Sequence, residues 1–244
     1  MSRTIATLGL AAFLLPASAG AGAPPGSGNE DFTSSFRLQD CEFETTGDDN
    51  PFFILEPGRQ LVYEAEDDSL FITVLQEIRR ITLKIGGQMR TVRTRVVEER
   101  EFDENGLKEV SRNYFVICDE TSDVFYFGED VDIFEPGQPV SHDGAWLAGR
   151  GGAKPGIIMP GTFLLGSRYF QEVAPGVALD RAEHTAQGFP VQTEAGNFKG
   201  CVEVTETTPL EPGSESVKVY CPGVGLVMDG DLELVDIVEG DDDD

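Results

Sequence analysis

Residues 69–118 alternate apolar and polar side chains across two tight-turn dipeptides, Gly86-Gly87 and Asn105-Gly106. Alternation with a period of two puts each set of side chains on its own face of a strand. Both dipeptides tolerate the positive φ that two-residue hairpin turns require. The segment therefore reads as a three-stranded meander. Closing the first hairpin at Gly86-Gly87 sets Ile85 opposite Gln88, Ile81 opposite Val92 and Arg80 opposite Arg93. One face then carries Ile81, Leu83, Ile85, Val92 and Val96, and the other carries Arg80, Thr82, Lys84, Thr91, Arg93 and Arg95. Closing the second hairpin at Asn105-Gly106 puts Phe115 opposite Val96 and Arg112 opposite Glu99. A slip of one residue would scatter the apolar set.

The rest of the chain extends this reading. β-Branched and aromatic runs bounded by Gly, Asn and Asp predict strands at 124–127, 131–134, 162–172, 189–205, 215–220, 226–229 and 232–238. Pro57-Gly58 and Pro222-Gly223 each turn into a short apolar strand. No 12-residue window carries a clear helical period. The fold class is all-β: a curled antiparallel sheet, a half-barrel or a β-sandwich meander. Residues 141–160, rich in glycine and proline, read as a long ordered loop, and loops of that length are often functional.

The first 19 residues have the form of a secretory signal peptide: Arg3, an apolar stretch from Ile5, and Ala17-Ser18-Ala19 as the cleavage site. Residues 20–35 follow as a flexible linker, 36–239 as a single β domain, and 240–244 as an acidic tail. Secretion or periplasmic export places the four cysteines where they can oxidise. Three pairings are open. Cys201 with Cys221 is favoured because one connection joins their strands, which leaves Cys41 with Cys118. No C-x-x-C spacing supports a zinc or redox role. After removal of the leader no stretch is long and apolar enough to span a membrane. A formal charge of −26 works against nucleic acid as a partner, because a phosphate backbone needs a surplus of cations.

Three stretches are candidates for chemistry. The basic face of the meander could hold a carboxylate or phosphate through Arg93 and Arg95, or form a salt-bridge ladder with the protein's own acids. The acids Asp119, Glu120, Asp123, Glu129, Asp130, Asp132 and Glu135 could draw calcium, although their spacing matches no EF-hand; solvated turns are the alternative. No other cofactor is implied, and two histidines make a His-rich metal site a poor expectation. In the loop, Trp146 could stack on a sugar or plug the core. His142 could act as a general base with Glu129 or Glu172. His184 lies beside Glu183 in a polar strand or short helix.

Tyr126-Phe127-Gly128-Glu129-Asp130, residues 146–149, Pro155-Gly156-Ile157-Ile158-Met159-Pro160, Tyr169-Phe170-Gln171-Glu172 and Pro222-Gly223-Val224-Gly225-Leu226-Val227 occur in this order. With them the chain resembles, over residues 50–238, a family of secreted bacterial β-rich proteins without an assigned activity. The resemblance implies a shared fold and compartment and carries over no catalytic residue. The functional expectation is a secreted binding protein for a small molecule or carbohydrate, using Trp146, Glu129, Tyr169, Arg93 and Arg95. The rivals are an extracellular hydrolase or lyase with Glu129 and Glu172 as a carboxylate pair or His142 as base, and a calcium-stabilised structural envelope protein.

Overall fold

A computed structural model describes residues 31–240. The expected leader, linker residues 20–30 and tail residues 241–244 lie outside the described residues. The strands are β1 (Phe43–Glu44), β2 (Gln60–Glu64), β3 (Ser69–Ile85), β4 (Gln88–Asp103), β5 (Gly106–Cys118), β6 (Val124–Glu135), β7 (Gln138–Ser141) and β8 (Trp146–Leu147). They continue as β9 (Lys154–Met159), β10 (Arg168–Phe170), β11 (Glu172–Val173), β12 (Arg181–Thr193), β13 (Gly196–Thr207), β14 (Glu215–Cys221), β15 (Gly225–Asp229) and β16 (Leu232–Val238). They form one antiparallel sheet in the order β10-β12-β13-β14-β15-β16-β2-β3-β4-β5-β6-β9-β11, with β1, β7 and β8 at its margins. The sheet is nearly closed into a barrel.

The first hairpin has the expected register: Ile85 faces Gln88, Ile81 faces Val92, and Arg80 faces Arg93. The second differs by one position. Val96 faces Tyr114 and Arg112 faces Glu98, because the turn falls at Glu104-Asn105 and Lys108 bulges out between the pairs Phe102–Leu107 and Glu101–Glu109. A bulge resets register without leaving a clear mark in the alternation. Other expectations change too. The strands anticipated at 124–127 and 131–134 are the single strand β6, and the run at 189–205 is divided between β12 and β13. Residues 141–160 are not one loop, since they contain β8 and β9. His184 lies in strand β12, not in a helix. Thr33, expected within the linker, bridges Tyr169 and exchanges backbone hydrogen bonds with Arg168 and Phe170.

The barrel comes together at one segment. β10 pairs with β12 at one end of the strand order, and β11 pairs with β9 at the other. These two short strands are consecutive in the chain, separated only by Gln171. Gly156 on β9 makes the approach possible: a Cβ there would lie 2.3 Å from the Phe170 carbonyl oxygen and 2.4 Å from that of Gln171. No other residue fits without moving backbone.

Beyond the Arg95–Phe115 pair the β3–β4 hairpin leaves β5, whose Ile117 and Cys118 pair with β1 instead. The departing ribbon is covered on its apolar side. Phe36 and Leu38 pack on the core cluster that holds Ile81, Leu83, Ile85 and Val92. Gly149 sits so close to this face that a Cβ would lie 2.7 Å from that of Leu83. The two disulfides are Cys41–Cys118 and Cys201–Cys221. The first ties the covering segment to β5, and the second joins the middle of β13 to the C-terminal end of β14. Both fit an oxidising compartment. Among the described residues no helix is long and apolar enough to cross a membrane.

Gly156→Ala is expected to lower stability by about 1–3 kcal/mol, the usual cost of overpacking a tight contact. Urea unfolding monitored by circular dichroism checks this. An unchanged midpoint would show that the β9–β11 approach does not hold the barrel together.

Candidate functional site

Alternation on the barrel strands brings an unusual set of side chains to the inner face. Glu99 lies on β4, Glu109 on β5, Glu129 on β6, Glu206 on β13, Lys218 on β14 and Asp229 on β15, and all are buried. Glu99 and Lys218 are five strand positions apart in the sheet order. A flat sheet would separate them by about 24 Å, yet each perturbs the titration of the other. They come within electrostatic reach because the sheet curls, and the enclosed volume holds charged groups among apolar ones.

Lys218 is 1 % exposed. Its ammonium lies 3.3 Å from the Asp229 carboxylate and 3.4 Å from that of Glu206. Burial alone would strip its proton, but Asp229 and Glu206 reverse that and hold the amine charged. Gln171 Nε2 donates to the other oxygen of Glu206 at 2.6 Å. One cation cannot neutralise the remaining acids. Burial pushes Glu99 and Glu109 up to about 8, and Asp180 and Asp229 up to about 6. It drives Glu129 and Glu172 well above the ordinary carboxyl range. Burial thus favours the protonated form of both Glu129 and Glu172.

Neither carboxyl oxygen of Glu129 has a well-formed hydrogen bond, although the Tyr126 hydroxyl lies near enough to work against the upward push of burial. The nearby Tyr126 hydroxyl donates instead to Asn113 Oδ1 at 2.6 Å, and Asn113 donates to Glu99 at 3.2 Å. Glu129 pairs directly across the sheet with Trp146 on β8, whose indole Nε1 is also buried and unpartnered. Gly128, with φ of +144°, allows this approach, since a Cβ there would lie 2.7 Å from the Trp146 carbonyl oxygen. The Trp146 ring is 6 % exposed and stands edge-on to Tyr126, so it is a wall and not an open stacking platform. Glu129 and Trp146 help line a cleft of about 390 Å³ with Arg79, Asp130, Arg150 and the Ala174-Pro175 turn. Arg79 lies over the Tyr114 ring, and the Tyr114 hydroxyl donates to Asp130.

The other anticipated site residues lie elsewhere. Glu172 is buried and within electrostatic reach of Glu129, and it accepts a hydrogen bond from the Asp180 amide. His142 is largely exposed and paired with Asp132 at 2.8 Å, so it is no partner for Glu129 or Glu172. Tyr169 donates to His184 Nε2 at 2.9 Å, while His184 Nδ1 donates to the Leu164 carbonyl and its ring stacks on Phe163. Burial lowers His184 to about 4, which keeps it neutral. Arg95 is buried and donates to the carbonyls of Thr45, Leu75 and Gln76, so it closes a bulge and is not available to an anion. Arg93 is exposed and does not join the cleft.

The acidic stretch does not converge on a cation. Glu120 accepts from the Glu42 amide, Asp123 from Thr121 and the Gly161 amide, Asp130 from Tyr114, and Asp132 binds His142. Among the described residues the one close grouping of possible ligands is Cys41, Cys118 and Glu120, and those cysteines are oxidised to each other. Sequence reasoning missed Arg79, Arg150 and the Lys218 cluster. Ser216, Lys218 and Tyr220 do alternate on β14, but a lysine at such a position ordinarily signals an exposed face. No protein-family model matches this chain, and no curated protein or solved structure shows significant similarity to it.

The interior acids set a pH dependence. Unfolded, Glu99 and Glu109 titrate near 4.5, and Asp180 and Asp229 near 3.8; folded, all four titrate higher. The native state binds more protons in between, so this stability is complete below about pH 4 and drains away as pH rises to about 8. Urea unfolding should give a free energy at least about 1.4 kcal/mol larger at pH 5 than at pH 8.5, which is what a tenfold change in the proton affinity of one carboxyl contributes. A flat or rising profile would contradict the assignment.

Lys218→Met removes the cation from Glu206 and Asp229. The expected loss is about 3–5 kcal/mol at pH 8 and clearly less at pH 5, where Asp229, raised to about 6 by burial, takes up a proton. An equal loss at both values would mean that packing, not charge, is what the lysine provides.

Proposed function

We propose that the protein binds a small polar ligand, a sugar or sugar acid, in the cleft walled by Glu129 and Trp146. The supporting observation is the pair of buried, unpartnered polar groups side by side on β6 and β8. A neutral carboxyl both donates and accepts, and an indole N–H donates, so together they suit a hydroxyl or a carbonyl oxygen. Leaving such groups unmatched costs about 1–3 kcal/mol each, which a ligand atom would recover. Arg79 and Arg150 on the same lining add affinity for a carboxylate on the ligand.

The hydrolase reading has less support. A retaining glycosidase pairs an ionised nucleophile with a protonated acid. Glu129 and Glu172 are both driven toward the protonated form, and no cation contributes to holding either one ionised.

Trp146 is the chain's one tryptophan, so its fluorescence reports directly on the cleft. Titration with uronic acids, neutral mono- and disaccharides and hydroxycarboxylates should reveal a saturable change with at least one class. Glu129→Leu should weaken that binding at least tenfold. Glu129→Gln, which keeps one donor and one acceptor, should stay within about threefold. Arg150→Gln should matter for acidic ligands only. If no class perturbs Trp146, or if Glu129→Leu binds as well as the parent protein, the reading is wrong.

A further inference from the structure

The β3–β4 ribbon carries an unpaired basic face. Arg80 and Arg93 are directly opposite each other, Lys84 lies four residues beyond Arg80, and all three are exposed. Like charges abreast repel, and a protein with 44 acidic residues has ample means to neutralise them. It does not. Arg59, Arg100, Arg112 and Arg168 each have a carboxylate within 4.0 Å, whereas Arg80, Lys84 and Arg93 have none among the described residues. The salt-bridge ladder anticipated for this face is absent at these three positions.

The architecture keeps the face open. From Ile81 to Val92 the ribbon stands clear of β5, and its apolar side is covered by the segment around Phe36 and Leu38. On the opposite side Arg80, Thr82, Lys84, Thr91 and Arg93 are exposed, and Met89 at its end is 68 % exposed. Between the arginine pair and Lys84 lie Thr82 and Thr91, whose hydroxyls hydrogen-bond to each other at 2.8 Å on the surface.

We propose that this ribbon face docks a linear acidic polysaccharide bearing carboxylates. Charge complementarity and charge spacing carry the argument. The Arg80–Arg93 pair spans about 5 Å between strands, and Lys84 lies about 13 Å further along at 3.3 Å per residue. Each guanidinium can take a planar carboxylate bidentately. The threonine pair offers hydroxyls to the uncharged stretch between. Such sparse cations suit a polymer with one carboxylate per repeating unit. They are too few for duplex DNA, with a charge every 1.7 Å or so, and the acidic remainder of the protein repels a dense anionic surface. The site is separate from the cleft and does not depend on the reading given to Glu129 and Trp146.

The test is affinity electrophoresis of the intact, oxidised protein in gels containing polygalacturonate, with neutral dextran as control. Retardation is expected in polygalacturonate at low salt, and it should vanish in 0.5 M NaCl. Arg80→Gln/Arg93→Gln should weaken the interaction at least tenfold and leave the melting temperature unchanged, since neither side chain has a partner to lose. Lys199→Gln, at an exposed site elsewhere, and Trp146→Phe should each be retarded like the parent. Several results would overturn the proposal: no retardation, equal retardation of the double variant, or tighter binding of the parent to duplex DNA or phosphatidylglycerol vesicles.

Discussion

One buried ammonium organises the interior of this barrel. Lys218 sits between Glu206 and Asp229, and of the other buried acids only Glu101 has a cation of its own, Lys108, among the described residues. Seven carboxyl side chains are buried. Coulomb attraction satisfies two of them, and hydrogen bonds from Asn113 and the Asp180 amide reach Glu99 and Glu172. Lys108 pairs with Glu101 at 3.1 Å, and for Glu99, Glu109, Glu129 and Glu172 burial favours the neutral acid over the anion. The core therefore combines a balance of protonation with a larger body of apolar contact. Its apolar residues, such as Tyr63, Leu70 and Leu234, fill the gaps between polar groups instead of excluding them.

The same alternation has a different outcome on the β3–β4 hairpin. Within the barrel one face of β4 carries Val97, Glu99 and Glu101 inward. Past the bulge at residues 75–77 the ribbon leaves the barrel, and the same face carries Arg93 into solvent. Arg95 lies at the transition. Its guanidinium caps the Leu75 and Gln76 carbonyls that the bulge withdraws from the ladder, together with that of Thr45. Unpaired backbone carbonyls in a buried position need such donors. Two arginines that look equivalent in the alternating pattern thus divide into a structural residue and a free one.

Local physics was legible in the sequence, and long-range physics was not. Gly86-Gly87 determines its hairpin register because a two-residue turn allows no other closure. The register at Lys108 slipped because a bulge depends on twist and packing that neighbouring residues do not encode. Residues 141–160 looked like loop because of their glycines, yet Gly149 and Gly156 are glycine so that other strands can press against them. Cys201–Cys221 followed from adjacent strands, with Cys41–Cys118 as the remainder. Lys218 meets Glu99 only after the sheet has curled through five strand positions, a distance that no local pattern reports. Glu129 and Trp146 were each noticeable as single residues. Their direct pairing, and the way both lost their hydrogen-bond partners, depended on β8 joining β6 at the edge of the sheet.

That pairing bears on why the cleft holds an acid at all. A leucine at position 129 would fill similar space without a desolvated carboxyl. A glutamine would keep donor and acceptor without a proton whose occupancy varies with pH. The protein instead carries an acid whose two oxygens lack a well-formed hydrogen bond, beside an indole whose N–H has no partner. Elsewhere the interior avoids this cost: Tyr126 finds Asn113, Tyr169 finds His184, and Tyr63 donates to the Leu226 carbonyl. Satisfaction is the rule in this core; besides Arg59 Nε and Asp229 Oδ1, the unmatched atoms lie on Glu129 and Trp146, where the interior meets a cleft lined by two arginines. Inference runs from such an observed cost to function, because a fold keeps an uncompensated polar group where something else is to complete it.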